Sequence, residues 1–344
     1  MRRINTLEQA TNGIHAKEFW KAMEVELQTL EEMNVWDVVE RQPWMNALPG
    51  VWSFKIKRNP SGAVKKYKAR FCCGGHKQIY SVDYFDVWSP LVNWTTVRLL
   101  LVLSLILNLA TKQVDYTAAF VHAPIDKPPN WDTMSDREKN REGVYIEMPR
   151  GFEKKGCVLR LNKSLCGLKQ SSRNFFQFLK GKLESIGFVS QELVDPCLFI
   201  SPKVICLVYC DDTLLYAKDE KDIDEVISQL KDPKQCNMDL EVEDDVAGFL
   251  GVLISRNDAE GTITLTQEHL TNRIIEALDV NHLDPVDTPA EEVLVADKDG
   301  EPAIGLYSYI CDWHVALLVR AQSARSFDGC LAGRKIHSEP QAIA

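Results

Sequence analysis

An α+β fold is the architecture this 344-residue chain predicts, on three observations. Amphipathic stretches of helical period recur, and between them lie short apolar runs of strand period punctuated by Gly, Pro, Asn and Asp. At 45% apolar and 26% charged residues, the chain has material for a sizeable core spread over two or three subdomains. That composition excludes a disordered or collagen-like protein. The longest strongly apolar stretch, Leu99 to Ala110, is broken by Ser104 and Asn108 and falls short of the roughly 20 residues a membrane-spanning helix needs. Met1 to Asn5 leads into polar sequence without an apolar h-region, so no secretory signal is expected and the chain is expected to stay inside the cell. The ten cysteines are then expected as free thiols, because no C-x-x-C and no Cys/His set at zinc spacing occurs among them.

Ala16 to Glu32 places Phe19, Trp20, Met23, Val25, Leu27 and Leu30 between charges, as an amphipathic helix does, and opens the fold. Val51 to Lys57 alternates as a strand, Asn59-Pro60-Ser61-Gly62 supplies a turn, and Val64 to Cys72 alternates again, so a β-hairpin is expected. Thr95 to Ala110 is expected as a buried helix, with a strand from Lys112 to Tyr116 after it. Asp126 to Glu142, dense in prolines and charges, fits a surface insertion before a strand at Val144 to Met148. Ser171 to Ile186 is helical by its period, with Phe175, Phe176, Phe178, Leu179 and Leu183 on adjacent faces, and Gly187 stands where a C-cap glycine belongs. Strands at Pro196 to Ser201, Val204 to Tyr209 and Thr213 to Ala217 follow, then a short amphipathic helix from Lys221 to Leu230. A second hairpin turns around Asp258-Ala259-Glu260-Gly261, and a helix runs from Gln267 to Leu278. No internal repeat is present.

The net charge of −9 argues against a protein that coats nucleic acid, but its distribution reverses the argument locally. Lys55, Lys57, Arg58, Lys65, Lys66, Lys68 and Arg70 fall on the predicted hairpin with no acidic residue among them. A solvated surface and a phosphate-binding one both fit that run. Asp211 and Asp212 lie at the tip between two strands otherwise too apolar to carry them, and Asp115 ends the run Gln113-Val114-Asp115-Tyr116. Exposed carboxylates on a turn are common. Brought together on adjacent strand ends, the three would instead supply hard oxygen ligands for two Mg²⁺ ions. Nucleotidyl transfer uses that arrangement to activate a 3′-hydroxyl and to neutralise the leaving pyrophosphate.

A series of short motifs carries a resemblance. It runs through Trp20-Lys21-Ala22-Met23, Asn34 to Val39, Trp52 to Lys57, Tyr67-Lys68-Ala69-Arg70, Gln113-Val114-Asp115 with Thr117-Ala118-Ala119-Phe120, and Met148 to Phe152. Ser164-Leu165-Cys166-Gly167-Leu168-Lys169-Gln170, Tyr209-Cys210-Asp211-Asp212 and Phe249-Leu250-Gly251 complete it. In this order the chain resembles the reverse transcriptases of copia-type long-terminal-repeat retrotransposons. Each motif alone is weak; together and in register they are specific. The resemblance implies a right-hand polymerase of fingers, palm and partial thumb with a ferredoxin-like palm sheet. It implies Asp115 and Asp211 as ligands of two Mg²⁺ ions, Asp212 as a supporting carboxylate and the backbone carbonyl of Tyr116 as a further ligand. Lys68, Arg70, Ala118, Ala119, Phe120, Gly167 and Gln170 would meet the incoming deoxynucleoside triphosphate, Phe120 as an aromatic gate against a 2′-hydroxyl unless it is simply core. Lys55, Lys57, Lys169 and the primer-grip turn Phe249-Leu250-Gly251 would meet an RNA or DNA template-primer.

Departures from the family are local. Cys166 stands where the family usually has an aromatic, Cys210 where it has Val, and Thr117 and Met238 where it has lysines; none of these removes an expected metal ligand. The implied divisions are an N-terminal extension over 1–15, fingers and palm over 16–250, a partial thumb or connection over 251–310, and a tail over 311–344. From Ile310 the resemblance stops, yet Cys311 to Leu318 back-translated one nucleotide later permits Val-Ile-Gly-Met-Leu-Leu-Tyr-Leu, the family's next motif. A frameshift near Tyr307 to Ile310 and an unstructured tail are therefore expected, with no RNase H or integrase segment in this chain. The implied location is the cytoplasm, in a virus-like particle, or the nucleus. Two rivals stay open: an inactive remnant that at most binds nucleic acid through Lys55 to Arg70, and another two-carboxylate enzyme such as a nucleotide cyclase, which would need neither the basic hairpin motif nor the Phe249-Leu250-Gly251 turn.

Overall fold

The computed structural model describes residues 6–58, 64–135, 138, 141–243, 248–257 and 259–278. The chain divides into two compact units, Met1–Val246 and Ala247–Ala344. The frame-shifted tail expected over 311–344 and the hairpin turn at Asn59 to Gly62 lie outside the described residues. The structure is a mixed α+β one with several sheets.

In the first unit the N-terminal segment contributes a short helix, α1 (Leu7–Thr11), whose N-cap Thr6 accepts the Gln9 N–H at 3.2 Å and which buries Ala10. Helix α2 (Ala16–Glu32) buries Phe19, Met23, Leu27 and Leu30, the one face that spacings of three and four select. It ends where Asn34 takes a left-handed φ of 52°, and the Val35 N–H closes onto Leu30 O at 3.1 Å. Strands β3 (Gly50–Arg58) and β4 (Val64–Cys73) form the expected hairpin. Their register sets Trp52, Phe54 and Ile56 opposite Phe71, Ala69 and Tyr67, and sets Ser53, Lys55 and Lys57 opposite Arg70, Lys68 and Lys66. The apolar set packs on α2, where Phe19 meets Phe54 and Tyr67 edge-on at 5.2 and 5.3 Å. A four-stranded sheet, ordered β1 (Trp36–Glu40), β7 (Cys157–Leu161), β6 (Tyr145–Glu147) and β2 (Ala47–Leu48), closes this core, with β2 and β6 parallel. Met23, Val35, Leu48, Trp52, Phe71, Ile146, Leu159 and Leu165 share one buried cluster.

The central sheet has six strands in the order β12 (Leu240–Glu243), β5 (Ala110–Tyr116), β11 (Asp212–Ala217), β10 (Val204–Tyr209), β9 (Asp195–Ile200), β8 (Val189–Gln191). Each neighbouring pair is antiparallel. One face is covered by α4 (Ser171–Ser185) and α5 (Glu220–Lys231). Tyr116 meets Phe175 of α4 at 5.7 Å, and Lys112, almost fully buried, reaches Glu220 and Asp224 of α5 at 2.8 and 2.7 Å. Because side chains alternate along a strand, Gln113 and Asp115 belong to the opposite face. Helix α4 ends as its sequence demands: Gly187 has φ 93°, and the Phe188 N–H bonds Leu183 O at 3.0 Å.

Helix α3 (Trp94–Ile106) departs from expectation in two ways. It stops four residues early, because Asn108 adopts φ 49° and the Leu109 N–H bonds Ser104 O at 2.8 Å, which frees Ala110 to start β5. It is also not buried all round: Leu99, Val102 and Ile106 are more than half exposed, on the face away from Val97, Leu100, Leu101 and Ser104. A segment apolar on every side does not encode which side faces the core.

The second unit contains β13 (Gly248–Phe249), β14 (Val252–Asn257), β15 (Thr262–Thr266) and α6 (Glu268–Leu278), with Phe249, Val252 and Ile274 buried. Among the described residues no helix is long and apolar enough to cross a membrane.

Candidate active site

The register of β5 against β11 places Asp115 directly opposite Asp212, and the Tyr116 N–H bonds Asp211 O at 3.1 Å, so the three carboxylate-bearing residues meet at one sheet end. β10 and β11 are joined by the two-residue turn Cys210-Asp211 with Cys210 at φ 51°. A left-handed value at a residue other than glycine costs about 1 kcal/mol or more, and here it delivers Asp211 to an exposed tip. On the other side, β12 sets Glu241 opposite Asp115 and Glu243 opposite Gln113. Five hydrogen-bonding or acidic side chains therefore share this face by register, and four of them are carboxylates.

The local electrostatics reflect that crowding. Burial, aided by the charges of Asp211, Asp115 and Glu243, holds the Asp212 carboxyl above its ordinary range, and a 3.2 Å hydrogen bond donated by Gln113 Nε2 only partly offsets this. No three His, Cys, Asp or Glu side chains among the described residues converge closely enough to form a metal cage by themselves. The donor set nevertheless fits a hard divalent cation. The oxygens are anionic and mutually repelling, and Mg²⁺ is ordinarily held by one or two carboxylates with water and substrate phosphate filling its shell.

Asp115, Tyr116 and Asp211 form the floor of a cleft of about 640 Å³ whose walls are α2, β4 and the segment after β5. From β4 the cleft receives Lys66, Lys68 and Arg70; behind them Glu26 of α2 accepts the Phe71 N–H at 3.3 Å. Burial raises the Glu26 carboxyl, while the Phe71 N–H, Lys68, Arg70 and Lys66 pull it back. The segment after β5 turns sharply at Ala118, φ 52°, into a short 3₁₀ turn, Ala119–His122, that brings Ala118, Ala119 and Phe120 to the cleft wall. Phe120 is half-buried, its ring edge-on to Phe175 at 6.2 Å.

Other expected residues stand elsewhere. Gln170, expected at the nucleotide, is fully buried, donating to Asp83 O at 2.8 Å and accepting from Gln78 Nε2 at 2.9 Å, and is not among the residues that line the cleft. Lys169 is exposed but committed to the same loop, its ammonium 4.7 Å from the Tyr84 ring centroid and its backbone N–H on Gln78 Oε1 at 2.7 Å. Gly167, at φ 91°, has a nearer reason to be glycine than substrate contact: a Cβ there would lie 2.1 Å from Cys73 O. Lys55 is exposed on the hairpin, and Lys57 is placed only by its register. Phe249-Leu250-Gly251 forms a tight turn in the second unit, Phe249 pairing Val252 around Leu250 and Gly251 at φ 56° and 74°. Glu26, Glu241 and Glu243 were not singled out from the sequence. For Glu26 the available signal was an acidic residue on a helix beside the apolar face; for the other two it was a strand of alternating Glu.

Residues 33–292 match the family described as reverse transcriptase (RNA-dependent DNA polymerase). The chain belongs to this family. It is 28% identical over 296 residues to the retrovirus-related Pol polyprotein from transposon TNT 1-94 of Nicotiana tabacum, covering 84% of this chain and 21% of that polyprotein. It is 31% identical over 211 residues to the polyprotein from transposon RE1 of Arabidopsis thaliana, covering 59% and 13%. It is 27% identical over 247 residues to the Transposon Ty1-GR3 Gag-Pol polyprotein of Saccharomyces cerevisiae, covering 68% and 13%. The chain thus spans about a fifth or less of the length of these curated relatives. As a reverse transcriptase family member it is a nucleotidyltransferase by ancestry, and its resemblance to copia-type Pol polyproteins holds.

Proposed function

We propose that this chain is an RNA-directed DNA polymerase of a copia-type retrotransposon, adding deoxynucleotides to a primer 3′ end on a nucleic-acid template. The observation that carries the reading is the register pairing of Asp115 with Asp212, with Asp115 and Asp211 lining the cleft that Lys68, Arg70 and Phe120 also line. In this reading the six-stranded sheet is the palm and the basic hairpin the fingers. Asp115 and Asp211, with the Tyr116 carbonyl, would hold two Mg²⁺ ions, and Asp212 would support them. When bound, the ions supply Lewis-acid activation of the 3′-hydroxyl and neutralisation of the leaving pyrophosphate. Lys68 and Arg70 bind the triphosphate by charge-assisted hydrogen bonds, strongest where negative charge develops during transfer. Phe120 occupies the space a 2′-hydroxyl would need.

The basic face of the hairpin supports a polyanionic partner over a merely solvated surface. Like charges set directly opposite destabilise a strand pair, and Lys55 faces Lys68 while Lys57 faces Lys66. A nucleic-acid backbone or a triphosphate relieves that repulsion. The test is primer extension by the full chain on poly(rA) primed with oligo(dT), with Mg²⁺ present. Asp115→Asn or Asp211→Asn should abolish extension while leaving the melting temperature within a few degrees, since each removes a charge at constant volume. Variants that keep more than about a tenth of the activity, a loss under 1.4 kcal/mol in the barrier, sink the metal assignment.

A further inference from the structure

Helix α2 and strand β4 lie side by side and run in the same direction, and three contacts fix their offset. At the start of the helix the Tyr67 hydroxyl meets His15 Nδ1 at 2.9 Å, and the Tyr67 ring meets Phe19 edge-on at 5.3 Å. Further along, Glu26 accepts the Phe71 N–H at 3.3 Å. Phe19 to Glu26 spans about 10 Å of helix, and Tyr67 to Phe71 about 13 Å of strand, so the two stay in step between these contacts. Lys21, about 3 Å along the helix axis from Phe19, therefore stands level with Lys68, one strand residue beyond Tyr67. Lys21, Lys68 and Arg70 all line the cleft that Asp115 and Asp211 line. Glu18 and Glu26 of α2 line it too. Lys21 is exposed, and among the described residues it forms no ion pair, not even with Glu18 one turn before it.

We propose that Lys21 is a third cationic residue for the triphosphate of the incoming nucleotide, so that the anion is held between α2 and β4 rather than by β4 alone. The identity of the anion rests on the polymerase reading; its place rests on the offset of α2 against β4. A triphosphate concentrates several negative charges on three linked groups, and cations from two elements at nearly one level meet it from two sides. The planar Arg70 fork suits a bidentate grip, and the flexible lysine stems bring point charges to the remaining oxygens. A phosphodiester backbone carries one charge at each phosphate and gains less from cations gathered at one level. Glu18 and Glu26 act against any anion in the cleft, and Glu26 is already engaged by the Phe71 N–H. Lys21, between them in sequence on the same helix, supplies the cation that lets α2 serve as a binding wall.

The experiment is isothermal titration calorimetry of the full chain with sodium tripolyphosphate and, separately, with single-stranded oligo(dT), Mg²⁺ being present in both, alongside dTTP kinetics on poly(rA) primed with oligo(dT). Lys21→Gln should weaken tripolyphosphate binding roughly tenfold, as loss of one charge-assisted hydrogen bond does, and should raise KM for dTTP by a similar factor with kcat little changed. Lys21→Arg should restore both. Lys17→Gln makes the same charge change one turn earlier on α2 but outside the cleft lining, and it should bind tripolyphosphate like the unaltered chain. Because Lys21 is exposed, its substitution should leave the melting temperature unchanged. Tripolyphosphate that binds the Lys21→Gln chain as tightly as the unaltered one, or that fails to bind the unaltered chain, would overturn the proposal. An equal loss with Lys17→Gln would do the same, and so would a loss confined to oligo(dT), which would assign Lys21 to a phosphodiester backbone. If no primer is extended while tripolyphosphate affinity falls with Lys21→Gln, the polymerase reading fails and the anion site stands. If extension proceeds and neither that affinity nor KM moves, the assignment of Lys21 alone fails.

Discussion

Burial and the neighbouring charges of Asp211, Asp115 and Glu243 raise the Asp212 carboxyl, so ionising it opposes folding. A carboxyl raised in the folded state contributes its stability below the unfolded-state pKa and loses it as pH rises through the folded one. Asp212→Asn should therefore melt higher than the unaltered chain at neutral pH, and the difference should vanish as pH falls below the carboxylate range. An equal or lower melting temperature at neutral pH would show that the Gln113 hydrogen bond outweighs the repulsion. The same substitution should lower extension less than Asp115→Asn, so stability and activity move in opposite directions at one residue. Phe120 invites a second comparison. Its ring meets Phe175 edge-on at the cleft wall. Phe120→Ala should raise ribonucleotide over deoxynucleotide incorporation by roughly tenfold, the size of effect a steric pocket wall commonly has. Unchanged sugar selectivity in competition assays would make Phe120 a packing residue only.

Between elements, the junction of β4 with the loop before α4 is where glycine is obligatory. Gly167→Ala combines a left-handed backbone with a Cβ 2.1 Å from a carbonyl oxygen that belongs to a strand and cannot rotate away. It should destabilise the first unit by about 3 kcal/mol, read from chemical denaturation, and a loss under about 1 kcal/mol would mean the loop can withdraw from β4. The sequence motif around Gly167 was visible, but its reason was not, because the partner backbone lies far away in the chain. The same division runs through the fold. Helices α2 and α4 and the three hairpins were legible, since each carries its period, its turn and its cap within a short window. The sheet of β1, β7, β6 and β2 was not, because its short strands pair across long stretches and β2 offers only two residues. Asp115, Asp211 and Asp212 were legible as charges the apolar strands could not otherwise explain. The bonds of Gln170 to Asp83 and Gln78 were not legible, because a loop-bracing amide and a ligand-binding one look alike in sequence.

At the scale of the whole molecule, charge sets how the chain can hold a polyanion. With a net charge of −9 the chain as a whole does not favour a phosphate backbone, so on the proposed reading affinity comes from a local basic surface and depends steeply on salt. On the proposed reading the hairpin is that surface, and its register sets lysine opposite lysine. Lys55 and Lys66 are exposed there, each opposite another lysine. Lys55→Gln and Lys66→Gln should each weaken template-primer binding and flatten the slope of log affinity against log salt by about 0.7–0.9, the contribution of one released counterion. The melting temperature of either variant should stay level or rise slightly, because a cross-strand repulsion has been removed. Loss of binding together with loss of stability would mean the lysines hold the hairpin rather than the nucleic acid. An unchanged salt slope would mean the basic face merely meets water, and the affinity of this acidic chain for a template would have to come from elsewhere.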